Sequence, residues 1–309
     1  MRVLFEIVLP VFGLVLTGYI AGHFRILGGS AAAAINRFVF YFALPAVLFT
    51  FAARAPVAES LNWPFIGTFL GGTLITFAGA FAISRSAFRN DAAASIMHGY
   101  AAIFANTVFL GIPLFLMAFG EQGTIPAITA ALCLLVMIAG IIAGVDVCLN
   151  RSAASGRVVR DIAGSLIRNP LLIAAASGVL FSALELSIPK GIGTYLDMLG
   201  HAATPTALFT LGLSLVGRPL AADMREVSWM VFVKLVAHPL AVGLLGAFVF
   251  NLDERWLQSA VLLAALPSGT LVYVVAQRFD IFVGRASAVI MVSTALSMVT
   301  VAGLLIWIL

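Results

Sequence analysis

The sequence predicts an all-helical membrane protein, and three observations carry that expectation. Of the 309 residues, 62% are hydrophobic and 10% are charged. The mean hydropathy is +1.12. The apolar residues gather into runs of bilayer length, separated by short gaps that hold Arg, Asp, Glu, Gly and Pro. A soluble domain carries about a quarter charged residues and has no means of hiding this much apolar surface from water. The surface of this chain must therefore face lipid.

A helix that crosses the hydrocarbon core needs roughly 17–25 mostly apolar residues. Ten runs qualify as spans: 3–22, 35–53, 63–83, 94–118, 123–148, 170–187, 198–217, 228–250, 256–277 and 286–308. Span 1 follows Arg2 and is interrupted by Glu6, but it continues through Gly22 without a small-residue cleavage site, so it reads as a retained helix and not a signal peptide. Span 2 opens at Asn36 and Arg37 and contains Pro45; span 3 starts at Trp63 and places Gly67 and Gly71 one turn apart. Span 4 is interrupted by Gly111 and Pro113. Span 5 holds both cysteines, Cys133 and Cys148, with no second Cys or His at metal spacing, so they read as packing residues. Span 6 begins at Pro170, span 7 carries His201 and Pro205, and span 8 carries Trp229, Lys234 and His238. Span 9 begins at Trp256 and is interrupted at Pro267, while span 10 ends near Trp307. Indoles at span ends suit the lipid–water interface, and small residues one turn apart suit close helix contacts.

The net charge of +4 does not point to nucleic acid, because no basic face with interleaved aromatics exists. The basic residues orient the spans instead. The odd-numbered gaps and their flanks hold twelve arginines, against Arg2, Arg54, Lys190 and Arg255 on the other side. That asymmetry places the odd gaps in the cytoplasm and both termini outside. No carboxylate cluster, zinc-protease pattern or Gly-rich phosphate loop is present, which argues against a membrane enzyme and against ATP-driven pumping by this chain.

The two halves resemble one another. Pro10 and Gly18 recur 160 positions later as Pro170 and Gly178, and Pro45–Phe51 (PAVLFTF) recurs at the same offset as Pro205–Leu211 (PTALFTL). Pro113 and Pro267 interrupt corresponding spans at an offset of 154. The expected organisation is a first five-span repeat over 1–149, a basic cytoplasmic linker over 150–169 and a second repeat over 170–309. Five spans is an odd number, so the second repeat is inserted upside down. Inverted repeats with interrupted helices at matching places are the mark of a secondary carrier with its site at the repeat interface.

The candidate site follows from those interruptions. Around Asn106, Thr107, Gly111, Ile112 and Pro113, and around Pro267, Ser268, Gly269 and Thr270, proline removes a backbone donor and glycine permits unusual dihedrals. If both helices unwind, each second half starts near the midplane with free N–H groups and partial positive charge, a place suited to a carboxylate. The plain alternative is a pair of ordinary proline kinks. Lys234 and His238 lie one turn apart within span 8, about 9 and 15 Å from its cytoplasmic start at 1.5 Å per residue. They are candidates for attracting an anion or carrying a coupled proton, with a snorkelling lysine and a carbonyl-bonded histidine as the structural alternative. No sequence partner stands out for His98. No cofactor or metal is expected.

The stretches Asn36–Thr50 (NRFVFYFALPAVLFT), Asn106–Leu114 (NTVFLGIPL), Lys234–Leu240 (KLVAHPL) and Ala265–Phe279 (ALPSGTLVYVVAQRF) are similar to the auxin efflux carrier family in its bacterial branch, which includes malonate carriers and is related to plant PIN proteins. That resemblance covers the whole chain. It implies the fold of bile-acid transporters and sodium–proton antiporters, with spans 4 and 9 crossing at their prolines beside a carboxylate site. It also implies a scaffold of spans 1, 2, 6 and 7 that forms a homodimer, a transport domain of spans 3–5 and 8–10, an elevator mechanism and a place in the bacterial inner membrane. The implied partners are a small organic anion such as malonate or an auxin-like acid, the lipid bilayer and protons. This chain lacks the long central loop of many plant members, which speaks against plant hormone transport. Spans 4, 5, 9 and 10 have no mid-span Asp or Glu, so proton coupling or uniport is expected over sodium symport. A sodium-coupled symporter and a transporter-like sensor are the alternatives.

Overall fold

A computed structural model describes residues 4–27, 30–54, 62–149, 164, 168–217 and 223–309, without the side chains of Glu121 and Gln122. Most of the expected 150–169 linker lies outside the described residues. Among them the regular elements are all helices, apart from an isolated antiparallel bridge between Ala105 and Ser268. Helix α1 runs from a π-helical turn, Leu4–Val8, into Leu9–His23; α2 is Ala31–Arg54, α3 is Trp63–Ser86 and α4 is Ala92–Ile103. Helix α5 is a π turn, Thr107–Gly111, continued by Ile112–Gly123; α6 is Ile125–Leu149, α7 is Pro170–Ala183 and α8 is Lys190–Leu215. Helix α9 is Met224–Phe248, α10 is Glu254–Ala264, α11 is Leu271–Phe279 and α12 is Val283–Ile308.

Six of these, namely α1 from Phe5, α2, α3, α6, α9 and α12, are long and apolar enough to cross a membrane. The other four expected spans take different forms. Runs 94–118 and 256–277 are each divided into two helices, α4 with α5 and α10 with α11. Run 170–187 yields the 14-residue α7, and run 198–217 is the later part of the 26-residue α8. Helix α8 starts earlier because Lys190, Asp197 and its glycines are compatible with a helix, although they dilute its hydropathy.

Local chemistry sets the helix starts. Asp91, Asn169, Asp223 and Asp253 each accept a backbone N–H with their side chain, capping α4, α7, α9 and α10. Such caps satisfy one of the orphan donors of a first turn. Four prolines inside spans share a second pattern, which Pro205 within the continuous α8 does not follow. Pro10, Pro45, Pro113 and Pro239 each stand second in the α-helical segment that follows a five-residue π turn: Leu4–Val8, Val39–Ala43, Thr107–Gly111 and Val233–Ala237. A proline lacks the N–H for the regular ladder and its ring crowds the carbonyl four residues earlier. The wider π turn makes room for the ring and absorbs the lost hydrogen bond.

The chain divides into two compact units. Unit 1 comprises Met1–Asn62, Val108–Thr129 and Ser165–Gly217; unit 2 comprises Trp63–Thr107, Ala130–Gly164 and Arg218–Leu309. The compact units interleave along the chain and do not coincide with its sequence halves. Within unit 1, α1 packs against α8 and α2 against α7. A Cβ added at Gly18 would lie 1.9 Å from the carbonyl oxygen of Phe209, and one at Gly178 would lie 2.6 Å from that of Phe49. Both helix pairs therefore close to a distance that only glycine permits. Within unit 2, α3 packs on α4 and α9, and α9 also packs on α10.

Candidate functional site

Two breaks of unit 2, the one after α4 and the one between α10 and α11, meet. Helix α4 ends at Ile103, and the next residues leave the helical path, with Phe104 at φ −73° and ψ 100°. Helix α10 ends at Ala264, and α11 resumes at Leu271. Between the breaks, Asn106 N–H donates to the Pro267 carbonyl at 2.9 Å and Gly269 N–H donates to the Phe104 carbonyl at 2.9 Å. These bonds form the antiparallel bridge at Ala105 and Ser268. Gly269 leaves room for the Phe104 ring, since a Cβ would stand 2.9 Å from two of its carbons and displace it.

The break in the first half falls at Phe104–Asn106, not at Pro113. Pro113 is the second residue after a π turn, where a helix tolerates it. At the 160-position offset that relates spans 1 and 2 to spans 6 and 7, Pro267 corresponds to Thr107, not to Pro113. No proline or glycine marks Phe104-Ala105-Asn106, so the break there comes from pairing with the 267–269 backbone. Gly111, Ile112 and Pro113 belong to unit 1, while Asn106, Thr107, Pro267, Ser268, Gly269 and Thr270 belong to unit 2. Thr270 is half-buried, and the other members of the unit 2 set are buried.

The polar side chains at the bridge lack partners. Asn106 is 3% exposed and Ser268 is 0% exposed. Asn106 Nδ2 and Ser268 Oγ have no hydrogen-bond partner among the described residues. An unpaired buried polar group costs about 1–3 kcal/mol. Two of them beside exchanged backbone bonds mark a place where a ligand can supply what the chain does not.

Lys234 and His238 are fully buried and have protein partners. Lys234 Nζ donates to the Ala264 carbonyl at 2.5 Å and lies 3.2 Å from His238 Nδ1. His238 Nε2 lies 3.1 Å from Thr73 Oγ1, and that hydroxyl donates to the Phe69 carbonyl at 2.6 Å. The Thr73 hydroxyl proton is thus committed, so Nε2 carries the proton that Thr73 accepts and Nδ1 accepts from Lys234. Lys234 does not snorkel to the interface: it is 0% exposed.

A second polar centre was not legible in the sequence. Glu226, 1% exposed, accepts from Asn90 Nδ2 at 2.6 Å, lies 2.7 Å from His98 Nδ1 and pairs with Arg285 Nη1 at 2.8 Å. Arg285 also donates to Asn90 Oδ1 at 3.0 Å. His98 and Glu226 are 128 positions apart, and helical periodicity carries no signal at that range.

Comparison with known proteins adds the identity of the chain. Residues 3–156 and 150–305 match the family described as "Membrane transport protein". The chain belongs to that family. A relative from Rhizobium meliloti, described as "Putative malonate transporter", is 36% identical over 97% of this chain and 94% of its own length. An "Uncharacterized transporter" from Methanothermobacter thermautotrophicus is 31% identical over 96% of this chain and 95% of its own. "Auxin efflux carrier component 1" of Arabidopsis thaliana is 28% identical over 38% of this chain and 20% of its own length. The resemblance read from Asn106–Leu114 and Ala265–Phe279 is thereby borne out. The protein is a multi-pass membrane transporter and not an enzyme.

Proposed function

We propose that this membrane transport protein carries a small organic anion, with malonate as the first candidate, and holds its carboxylate at the crossing of the α4–α5 and α10–α11 breaks. The observation that carries this reading is the pair of buried, unpartnered groups, Asn106 Nδ2 and Ser268 Oγ, on the two strands of the Ala105–Ser268 bridge. Helix α11 starts within a few residues of the bridge, at Leu271, and a helix start favours negative charge. The similarity to the "Putative malonate transporter" supports a carboxylate as cargo.

The proposed architecture is ten spans in two inverted five-span repeats. Unit 1 supplies the support for the reading: Gly18 faces Phe209 and Gly178 faces Phe49, and both the two glycines and the two phenylalanines are 160 positions apart. A contact and its exchange partner are what a pseudo-twofold axis produces. In this reading unit 1, rich in spans 1, 2, 6 and 7, is a dimerising scaffold, and unit 2 is the moving body of an elevator in the bacterial inner membrane. Transport is proton-coupled or driven by membrane potential, because spans 4, 5, 9 and 10 have no mid-span Asp or Glu to hold a sodium ion.

The test is counterflow of radiolabelled malonate into proteoliposomes. Asn106→Ala is expected to raise the half-saturation concentration roughly tenfold or more, equivalent to about 1.4 kcal/mol. It should still insert, since one amide in a packed bundle contributes about 0.6 kcal/mol. Wild-type half-saturation in the variant would place the anion elsewhere.

A further inference from the structure

In an unbroken α-helix the carbonyl of Ala264 would accept from the N–H of Ser268, four residues on. Here that single bond is missing, and a different side chain satisfies each of its halves. The Ala264 carbonyl accepts from Lys234 Nζ of α9 at 2.5 Å. The Ser268 N–H donates to Ser293 Oγ of α12 at 3.0 Å. Ser293 is 0% exposed, and its hydroxyl donates to the Ile290 carbonyl at 3.3 Å, leaving a lone pair for Ser268. Pro267 explains why one bond is absent from the ladder, but not this one: its missing N–H would have served Leu263. The carbonyl and N–H of 264 and 268 are both present and would re-form the turn if nothing else engaged them.

The geometry points to Lys234 and Ser293 as a pair of positioning residues that hold the α10–α11 break open by each occupying one half of the same helical hydrogen bond. Neither acts on the cargo. They act through the 265–270 segment, whose Pro267 carbonyl and Gly269 N–H are the groups bonded to Asn106 and Phe104. The π turn Val233–Ala237 brings Lys234 to this task, and His238 Nδ1 with Thr73 behind it fixes the direction of Nζ. A side-chain donor suits the carbonyl end of α10, whose last carbonyls lack a partner within the helix.

This assignment makes the two residues interdependent. Removing either one leaves one half of the bond unpaired, whereas removing both lets the two halves find each other and close the turn. Backbone amide exchange of the full-length protein in detergent reads this directly, without any cargo. Lys234→Met and Ser293→Ala are each expected to speed exchange across 104–107 and 265–270 roughly tenfold, the loss of about one hydrogen bond. Ser293→Thr keeps the hydroxyl and should exchange as wild type. The Lys234→Met/Ser293→Ala double variant should exchange more slowly at Ser268 than Ser293→Ala alone, a non-additivity that independent sites do not give. Exchange at wild-type rates in both single variants would overturn the assignment, as would multiplied effects in the double. Ser293→Ala and Ser293→Thr decide the matter even if Lys234→Met does not fold. The consequence for transport rests on the proposed anion site, and malonate counterflow in the same variants should fall with the exchange change. If wild-type protein moves no malonate, the cargo reading fails while exchange still decides the role of Lys234 and Ser293.

Discussion

At the scale of single residues, unit 2 keeps its buried polar groups in two different conditions. Asn106 Nδ2 and Ser268 Oγ are left unsatisfied at the bridge, whereas Glu226 is satisfied on every side by His98, Asn90 and Arg285. The first condition suits a group that waits for a ligand, and the second suits a fastening. Glu226 ties the start of α9 to α4 and to the start of α12, so its loss should cost stability and not affinity. Breaking a buried ion pair costs about 3–5 kcal/mol, and the low end applies here because Arg285 is 34% exposed. Arg285→Ala is therefore expected to lower the thermal midpoint of the detergent-purified protein clearly, and Glu226→Gln to lower it less, because the amide keeps Asn90 and His98 in reach. An unchanged midpoint for Arg285→Ala would show that the cluster fastens nothing. From the sequence, Asn106, Ser268, Lys234 and His238 were legible because polar groups inside apolar runs are costly and stand out. Their partners were not legible: Thr73, Ala264 and Ser293 are ordinary residues until the helices pack, and so is Glu226, the partner of His98.

At the scale of elements, the sequence signals for interruption were sound in kind and displaced in place. Pro267 lies inside a break, but Pro113 follows a π turn and its helix continues past it. The distinction is physical: a proline frees one carbonyl, and a one-residue π insertion can absorb that, whereas separating two halves of a helix requires new partners for several groups. Those partners come from another element, so no local pattern announces Phe104–Asn106. The π turns also aim side chains. Each inserted residue rotates what precedes it by about 100° relative to a continuous α-helix. Pro239→Ala restores a backbone donor and is expected to let Val233–Ala237 relax, turning Lys234 away from the Ala264 carbonyl. Amide exchange over 265–270 should then rise roughly tenfold, as for Lys234→Met. Unchanged exchange would mean that packing, and not the proline, holds the π turn.

At the scale of the whole molecule, what was legible is what repeats: ten apolar runs, two similar halves and an uneven distribution of arginine. The compact units were not legible from those halves, because each is assembled from both and the exchange contacts at Gly18 and Gly178 cross the halves. The orientation is the part that a direct chemical experiment decides. Twelve arginines flank the odd gaps and four basic residues flank the even ones or the start of the chain. Lysine and arginine near span ends resist translocation, so the richer side stays in the cytoplasm. The exposed Ser86 follows span 3 in an odd gap, whereas Ser187, also exposed, ends span 6 at the edge of an even gap and the exposed Glu254 lies in another even gap. Buried Cys133 and half-buried Cys148 must first be replaced by alanine so that no native thiol answers. In that background, Ser86→Cys in intact cells should resist a membrane-impermeant maleimide and react after lysis, while Ser187→Cys and Glu254→Cys should react in intact cells. Glu254 is the better choice in its loop, because the neighbouring Asp253 caps α10 and its loss would loosen the helix start. The opposite labelling pattern would reverse the topology. Labelling of all three sites from outside would be harder on the proposal still, since an odd number of spans between matching gaps is what makes the second repeat inverted.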